Sequence, residues 1–323
     1  MEYVNFLVHR GYGHYLRYCA QSIVNNSPAP LVLLGDSRSA RTQKYVNLRH
    51  ASLDDYAEDI PEFMKYADSC FINQGNRAYE NFCYARWMYI RNYMRREKIK
   101  NMVYFDSDIM LTAPLQMILD TIPDTINGYA NLSTNPMIVS PNLTVMPLHV
   151  LEDFVEFMWE VFRKGRQHAR AWAKYNSKTI MEKHGLDIPD DHLSDMSMFG
   201  DFCANHKDVW FEPFNDSTFA QGHVNHDVYS TAAANGLYVD NNVTAVAHSQ
   251  LYRPHPGSKE VRLSIEGSPH LRGHTREEEF LRVALLHFQG HSKADMPVVV
   301  EYLNSAMSGN PESWETLDDL RYF

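Results

Sequence analysis

Residues 101–111, NMVYFDSDIML, constrain this chain more than any other stretch. Met102, Val103, Tyr104 and Phe105 favour a buried strand and run straight into Asp106-Ser107-Asp108, after which apolar residues resume at Ile109. Side chains alternate along an extended chain, so Asp106 and Asp108 share a face if extended geometry persists that far. Two such carboxylates repel unless a cation sits between them or one takes up a proton. A hard divalent cation with oxygen ligands resolves the conflict and can hold a diphosphate at the same time. The competing reading is a solvated turn, the commoner fate of an isolated D-x-D; the apolar run before it favours a site.

The opening of the chain says what kind of sheet this strand joins. Residues 3–8 read as a first strand, followed by a loop with two glycines, His9-Arg10-Gly11-Tyr12-Gly13. Residues 15–23 carry apolar positions at helical spacing, and residues 31–34 are a second short buried strand closed by Gly35-Asp36-Ser37. Strand, helix, strand in that span is a βαβ opening, so an α/β fold with a mainly parallel sheet and helices on its faces is expected. Ligands of such sheets lie beyond the carboxyl ends of the strands, where both His9–Gly13 and Asp106–Asp108 fall. The HRGYG loop is not a phosphate-binding glycine motif; an ordinary βα turn and a ligand-binding loop weigh about equally.

Further along, residues 54–65 read as polar and irregular, and residues 79–96 as a helix with Phe82, Trp87, Ile90 and Met94 on one face. Arg86 lies within it; an Arg on a helix is usually solvated, but this one precedes the Asp-bearing strand and can reach toward it. A short helix opens near Pro114, residues 121–124 turn, and strands are expected over 128–132 and 137–146, the second interrupted by Pro141. Residues 150–175 read as one long helix with a basic tail. A further element begins around Ser194 and Asp195, either of which can cap it. Short strands are expected over 209–214, 237–240, 243–247 and 283–288, and a helix over 298–307. Residues 254–276, rich in Gly, Pro and charge, read as a long loop.

Composition excludes several classes. A net charge of −10 without a basic block argues against nucleic acid as a partner. Arg95, Arg96, Lys98 and Lys100 cluster where a helix ends, which favours the macrodipole and is also compatible with peripheral contact at an anionic membrane. The strand-like YVNFLV start leaves no room for a signal peptide, and no apolar run is long enough for a transmembrane segment. Cys19, Cys70, Cys83 and Cys203 show no CxxC spacing. A cytoplasmic protein with free thiols is the expectation, its N-x-S/T sequons being chance matches. The 323 residues are read as a single domain: a nucleotide-binding half over 1–122, an acceptor-side half over 123–295 that returns to the metal site, and a C-terminal helix and tail over 296–323.

The second informative stretch is LLHFQGHSK, residues 285–293. His287 ends an apolar strand, Gly290 permits close backbone approach, and Lys293 offers a point charge for phosphate. With sixteen histidines present, a lone one carries little weight; H-x-x-G-x-x-K after a strand, together with a strand-terminal D-x-D, carries more. Taken with YARWMYI around Arg86 and VYFDSDIML around Asp106 and Asp108, the chain resembles the GT-A glycosyltransferases, most closely the glycogenin-like and bacterial galactosyltransferase-like group of the family 8 type. The resemblance covers residues 1–115 and the C-terminal segment. It implies a GT-A, Rossmann-like sheet in which Asp106, Asp108 and His287 bind Mn2+ (or Mg2+), the cation holding the diphosphate of a nucleotide-sugar donor, a UDP-sugar. Lys293 and the Gly290 backbone would assist at the phosphates, Arg86 would position the donor, and Tyr12 would stack on the base. The acceptor would be a glycan, a glycolipid precursor or another hydroxyl, and transfer would proceed with retention. Two departures stand out: the family's Asp-Gln-Asp-like middle motif survives only as Leu193-Ser194-Asp195-Met196, and Ala294-Asp295 replaces the Pro-Trp that often follows the lysine. Asp195 is the candidate catalytic carboxylate near the sugar carbon, with a helix cap as its alternative role.

Two other functions are compatible with these residues. A phosphatase or phosphotransferase of the haloacid dehalogenase type also ends an apolar strand in D-x-D, but near the chain start and with Thr or Val soon after. A catalytically silent sugar-nucleotide or glycan-binding protein is the other. Within the transferase reading, residues 254–276 would serve as a lid that closes over bound donor.

Overall fold

A computed structural model of the chain describes residues 2–70, 76–111, 114–120, 128–131, 142–184, 193–205, 209–212, 237–239, 261–265, 269–273, 280–287, 293, 296, 297 and 300, several of the later segments as backbone alone. The first half follows the βαβ expectation. Strand β1 (Val4–His9) leads through helix α1 (His14–Asn26) to β2 (Leu31–Gly35), and β1 and β2 pair in parallel, with His9 opposite Gly35. A 3-10 turn over Ser39–Lys44 leads to β3 (Arg49–Ser52), which adds in parallel to β2. After a second 3-10 turn (Leu53–Tyr56) come α2 (Ile60–Cys70) and α3 (Arg77–Glu97), which returns the chain to β4 (Asn101–Phe105), parallel to β1 on its other side.

Three strands follow in or beside this sheet. β5 (Ile109–Leu111) precedes the short α4 (Leu115–Leu119) and β6 (Gly128–Asn131), and β7 (Leu143–Pro147) pairs antiparallel with both β4 and β6. Helices α5 (Leu148–Arg163), α6 (Arg166–His184) and α7 (Asp195–Asn205) precede β8 (Val209–Glu212), parallel to β6. The main sheet thus runs β3-β2-β1-β4-β7-β6-β8, mixed and mainly parallel, in an α/β fold as expected. β9 (Leu237–Val239), β10 (Val261–Ile265), β11 (Pro269–Gly273) and β12 (Phe280–His287) belong to a second sheet, ordered β10-β11-β12-β5, with β9 beside β12.

The central strands are buried on both faces, which is why they read as continuous apolar runs. Phe6, Val8, Met102 and Tyr104 face one core with α2, α3, α5 and α7, where Trp87 stacks on Phe199 at 5.1 Å and meets Phe154 edge-on. Leu7, Val103 and Phe105 face a second core with α1, β5 and α4. Phe6, Leu7, Trp87 and Phe105 are wholly buried in them.

Several expectations are corrected. Residues 54–65 are not irregular; α2 starts at Ile60, with Pro61 in its first turn where a missing N–H costs nothing, and it buries Ile60, Phe63, Ala67 and Cys70. Intervening polar residues mask that periodicity. The single helix over 150–175 is two helices, broken at Gly165, whose φ of +85° only glycine adopts readily. Residues 254–276 are not a structureless loop, since β10 and β11 form an antiparallel pair within them that continues into β12. At the end of α3, Lys98 takes the left-handed cap with φ 57°, and Arg95 and Arg96 pair with Glu152 and Glu58. Cys19, Cys70 and Cys83 are free and buried. The elements expected over 121–124, 243–247 and 301–307 lie outside the described residues, and no helix among those described is long and apolar enough to cross a membrane.

Candidate active site

The D-x-D turn is the corner between the two sheets. β4 ends at Phe105, and the chain folds into a turn closed by the Ile109 amide on the Asp106 carbonyl at 3.4 Å, while the Asp106 amide donates to the Asn142 carbonyl at 3.0 Å. Extended geometry therefore does not persist past Phe105, so the condition for two carboxylates sharing a face is not met, and each carboxylate has a cationic partner. The Asp106 Oδ1 atom accepts from Arg86 at 2.9 Å and from the Tyr104 hydroxyl at 2.6 Å. The Asp108 Oδ2 atom meets the Lys293 ammonium at 2.8 Å. Burial works against the charge on Lys293, but Asp108 outweighs it and raises the lysine's pKa.

Arg86 reaches Asp106 from the middle of α3, a helix whose Asn76 cap accepts from the Ala78 and Tyr79 amides. Its guanidinium also donates to Asp195, which in turn accepts from Trp87 Nε1 at 3.1 Å. Asp195 is only 2% exposed. It is the first residue of α7, but Ser194 caps that helix, its hydroxyl accepting from the Ser197 amide at 3.1 Å, so the Asp195 carboxylate is left to Arg86 and Trp87. The Arg86 Nε atom is buried with no partner among the described residues.

β12 brings the distant end of the chain to this corner. It pairs antiparallel with β5, setting His287 opposite Ile109, one residue past Asp108. The His287 side chain and Gly290 lie outside the described residues, whereas Lys293 is placed against Asp108 and 5.2 Å from the Tyr15 ring centroid. Among the described residues no three His, Cys, Asp or Glu side chains gather as a metal cluster. The donors nonetheless fit a hard divalent cation: Asp108, 9% exposed, already holds a cationic ammonium, and the strand bearing His287 ends beside it.

On the β1 side, Tyr12 is half-buried, its ring edge-on to His14 at 5.5 Å. Sequence reasoning passed over two neighbours. His9 Nδ1 lies 2.9 Å from the Ser107 hydroxyl, and burial, aided by the charge of Lys293, pushes its pKa down to about 4, so the ring is neutral at pH 7. Asp36 Oδ2 accepts from the Gly11 amide at 2.9 Å, and Oδ1 from those of Arg38 and Ser39 at 3.1 and 2.9 Å. The signal for Asp36 was present: Gly35-Asp36-Ser37 closes a buried strand, as the D-x-D does.

Compared by sequence, the chain matches no protein-family profile and no curated protein. Compared by structure, it is similar to mouse xyloside xylosyltransferase 1 in its apo form, at 9% identity and a TM-score of 0.46 over 65% of this chain and 84% of that one. It is also similar to the galactosyltransferase LgtC in complex with donor and acceptor sugar analogues, at 11% identity and a TM-score of 0.42 over 95% and 98%. At these scores the likeness carries no argument by itself; the α/β class rests on the strand order above.

Proposed function

We propose that the protein is a glycosyltransferase that takes a sugar from a UDP-sugar and passes it to a hydroxyl of a glycan or glycolipid precursor. The observation that carries this reading is the convergence at one corner of Arg86 from α3 on Asp106 and of Lys293 from the far end of the chain on Asp108, the order of motifs in which the sequence resembles the family 8 transferases.

Asp106, Asp108 and His287 are the residues that would hold Mn2+ or Mg2+, which when bound supplies positive charge to the diphosphate. Lys293 adds a second positive charge where the leaving phosphate oxygen gains negative charge, so it stabilises the departing nucleoside diphosphate most as the bond breaks. Arg86, fixed by Asp195 and Tyr104, holds Asp106 in orientation and would thereby help position the donor. Asp195 thus acts on the sugar through Arg86. Tyr12 would stack on the base and Gly290 would let its backbone approach the phosphates. Retention at the sugar carbon belongs to the same reading.

The dehalogenase alternative requires the first Asp as a free nucleophile. Here Asp106 accepts from both Arg86 and Tyr104 and follows the fourth strand of the chain, which disfavours it. Hydrolysis of UDP-sugars with Mn2+ is the deciding assay. Release of UDP supports the transferase; release of phosphate from small esters instead overturns it, and binding of UDP-sugar without turnover leaves a silent binder.

A further inference from the structure

Beyond the residues that would touch the donor, the structure assigns Asp36 as the positioning residue that sets the donor-binding loop of β1 through a single carboxylate. The inference rests on the proposed transferase reading.

The loop between β1 and α1 must turn sharply, and it does so at Gly11, whose φ is +86°. Nothing in β1 dictates where that turn points. The Gly11 amide is held by Asp36 Oδ2 at 2.9 Å, from a residue immediately after β2, the neighbouring parallel strand. The other carboxylate oxygen is committed to its own loop, accepting from the Arg38 and Ser39 amides. The Asp36 backbone is braced from behind, its carbonyl accepting from the Ser39 hydroxyl at 2.8 Å and lying 3.2 Å from His50 Nε2 on β3. One rigid carboxylate thus ties the carboxyl ends of β1 and β2 together and aims Tyr12, the next residue after Gly11. Burial opposes the ionised form of Asp36, but its backbone donors outweigh that and keep its pKa below the ordinary value. The group is therefore an anion at neutral pH, and its bond to Gly11 is charge-assisted.

The two oxygens can be separated by mutation. Asp36→Asn keeps one oxygen for the Arg38 and Ser39 amides and places an NH2 group, itself a donor, toward Gly11. The experiment is calorimetry of UDP and of inorganic pyrophosphate, each with Mg2+, on the full chain as wild type, D36N, Y12A and D36N/Y12A. D36N and Y12A are each expected to weaken UDP about tenfold, and the double variant no more than either alone, because both remove the same ring from the base. Pyrophosphate, which has no base, should bind all four within about twofold. Parallel loss of pyrophosphate, losses that multiply in the double variant, or unchanged UDP binding by D36N would each overturn the inference. Should D36N melt early, Gly11→Ala is the second variant: it strains the turn with Asp36 intact and must reproduce the UDP-selective loss. A wild-type protein that binds neither UDP nor pyrophosphate would sink the transferase reading itself, whereas UDP binding without coupling between Asp36 and Tyr12 sinks only this inference.

Discussion

Replacing Asp195 with alanine tests whether its carboxylate is held as the buried ion-pair partner of Arg86. The side chain is 3% exposed and faces the guanidinium of Arg86, itself 10% exposed, and the indole N–H of Trp87. Removing one partner of a buried ion pair costs about 3–5 kcal/mol, because the remaining charge is left without compensation. Arg86 keeps Asp106 at 2.9 Å, so the loss should fall toward the lower end, about 3 kcal/mol, with about 1 kcal/mol more for the stranded indole donor. Asp106→Ala provides the control. Its carboxylate is 20% exposed and Arg86 retains Asp195, so about 1–2 kcal/mol is expected. Urea denaturation of the three proteins, with unchanged m-values, measures both numbers. The reasoning is refuted if Asp195→Ala stays within about 1 kcal/mol of wild type, or if Asp106→Ala is the more damaging change.

Asp108→Ala and His287→Ala should each weaken UDP binding in Mn2+ by about 1–3 kcal/mol in calorimetry while leaving the melting temperature close to wild type; full Mn2+-dependent binding by His287→Ala would remove it from the site. Burial, then the negative charge of Asp195, raise Glu80 to about 7 against the pull of Arg86. The unfolded chain therefore ionises first, and the native state loses stability as pH climbs from about 4.5 to 7. Glu80→Gln should match wild type below that window and be more stable above it by about 1–3 kcal/mol, seen in paired urea titrations at pH 4 and pH 8. Gly165→Ala meets no atom within 4 Å, so its cost is backbone strain alone, about 1 kcal/mol; a neutral result would mean the break between α5 and α6 is not held by that φ.

What could be read from residues alone was whatever local pattern dictates. β1, α1, β2, α3 and β4 were legible because continuous apolar runs and helical spacing mark them, and β12 because its apolar run ends in His287. The segments misread are those where one residue overrules a pattern. Gly165 interrupts a stripe that otherwise continues, and Glu62 and Lys65 disguise the buried face of α2. At the site, the reach of Arg86 toward the Asp-bearing strand was legible, but which cation each carboxylate takes was not. Nothing in D-x-D tells that Asp106 turns to Arg86 while Asp108 turns to Lys293; that division follows from the turn after Phe105 and from the second sheet. The strand-end position of Asp36 was visible in the sequence, but its partners are backbone amides, which leave no trace in residue spacing, so its role was not.

The corner at Asp106–Asp108 also bears on how the chain reaches its native state. Arg86, Tyr104 and Asp106 lie close in sequence and can assemble as soon as α3 and β4 form. Among the described residues β5 has β12 as its only strand neighbour, and more than half the chain separates them. Closing so long a loop is entropically costly and slow, so during synthesis the N-terminal sheet precedes its completed site. Until β12 docks, Ile109–Leu111 is an unpaired apolar strand, the kind of edge that recruits other chains. The same pairing that carries the histidine and lysine motif to the corner covers that edge. In the nascent chain, gaining the ability to act and losing the tendency to aggregate are one event.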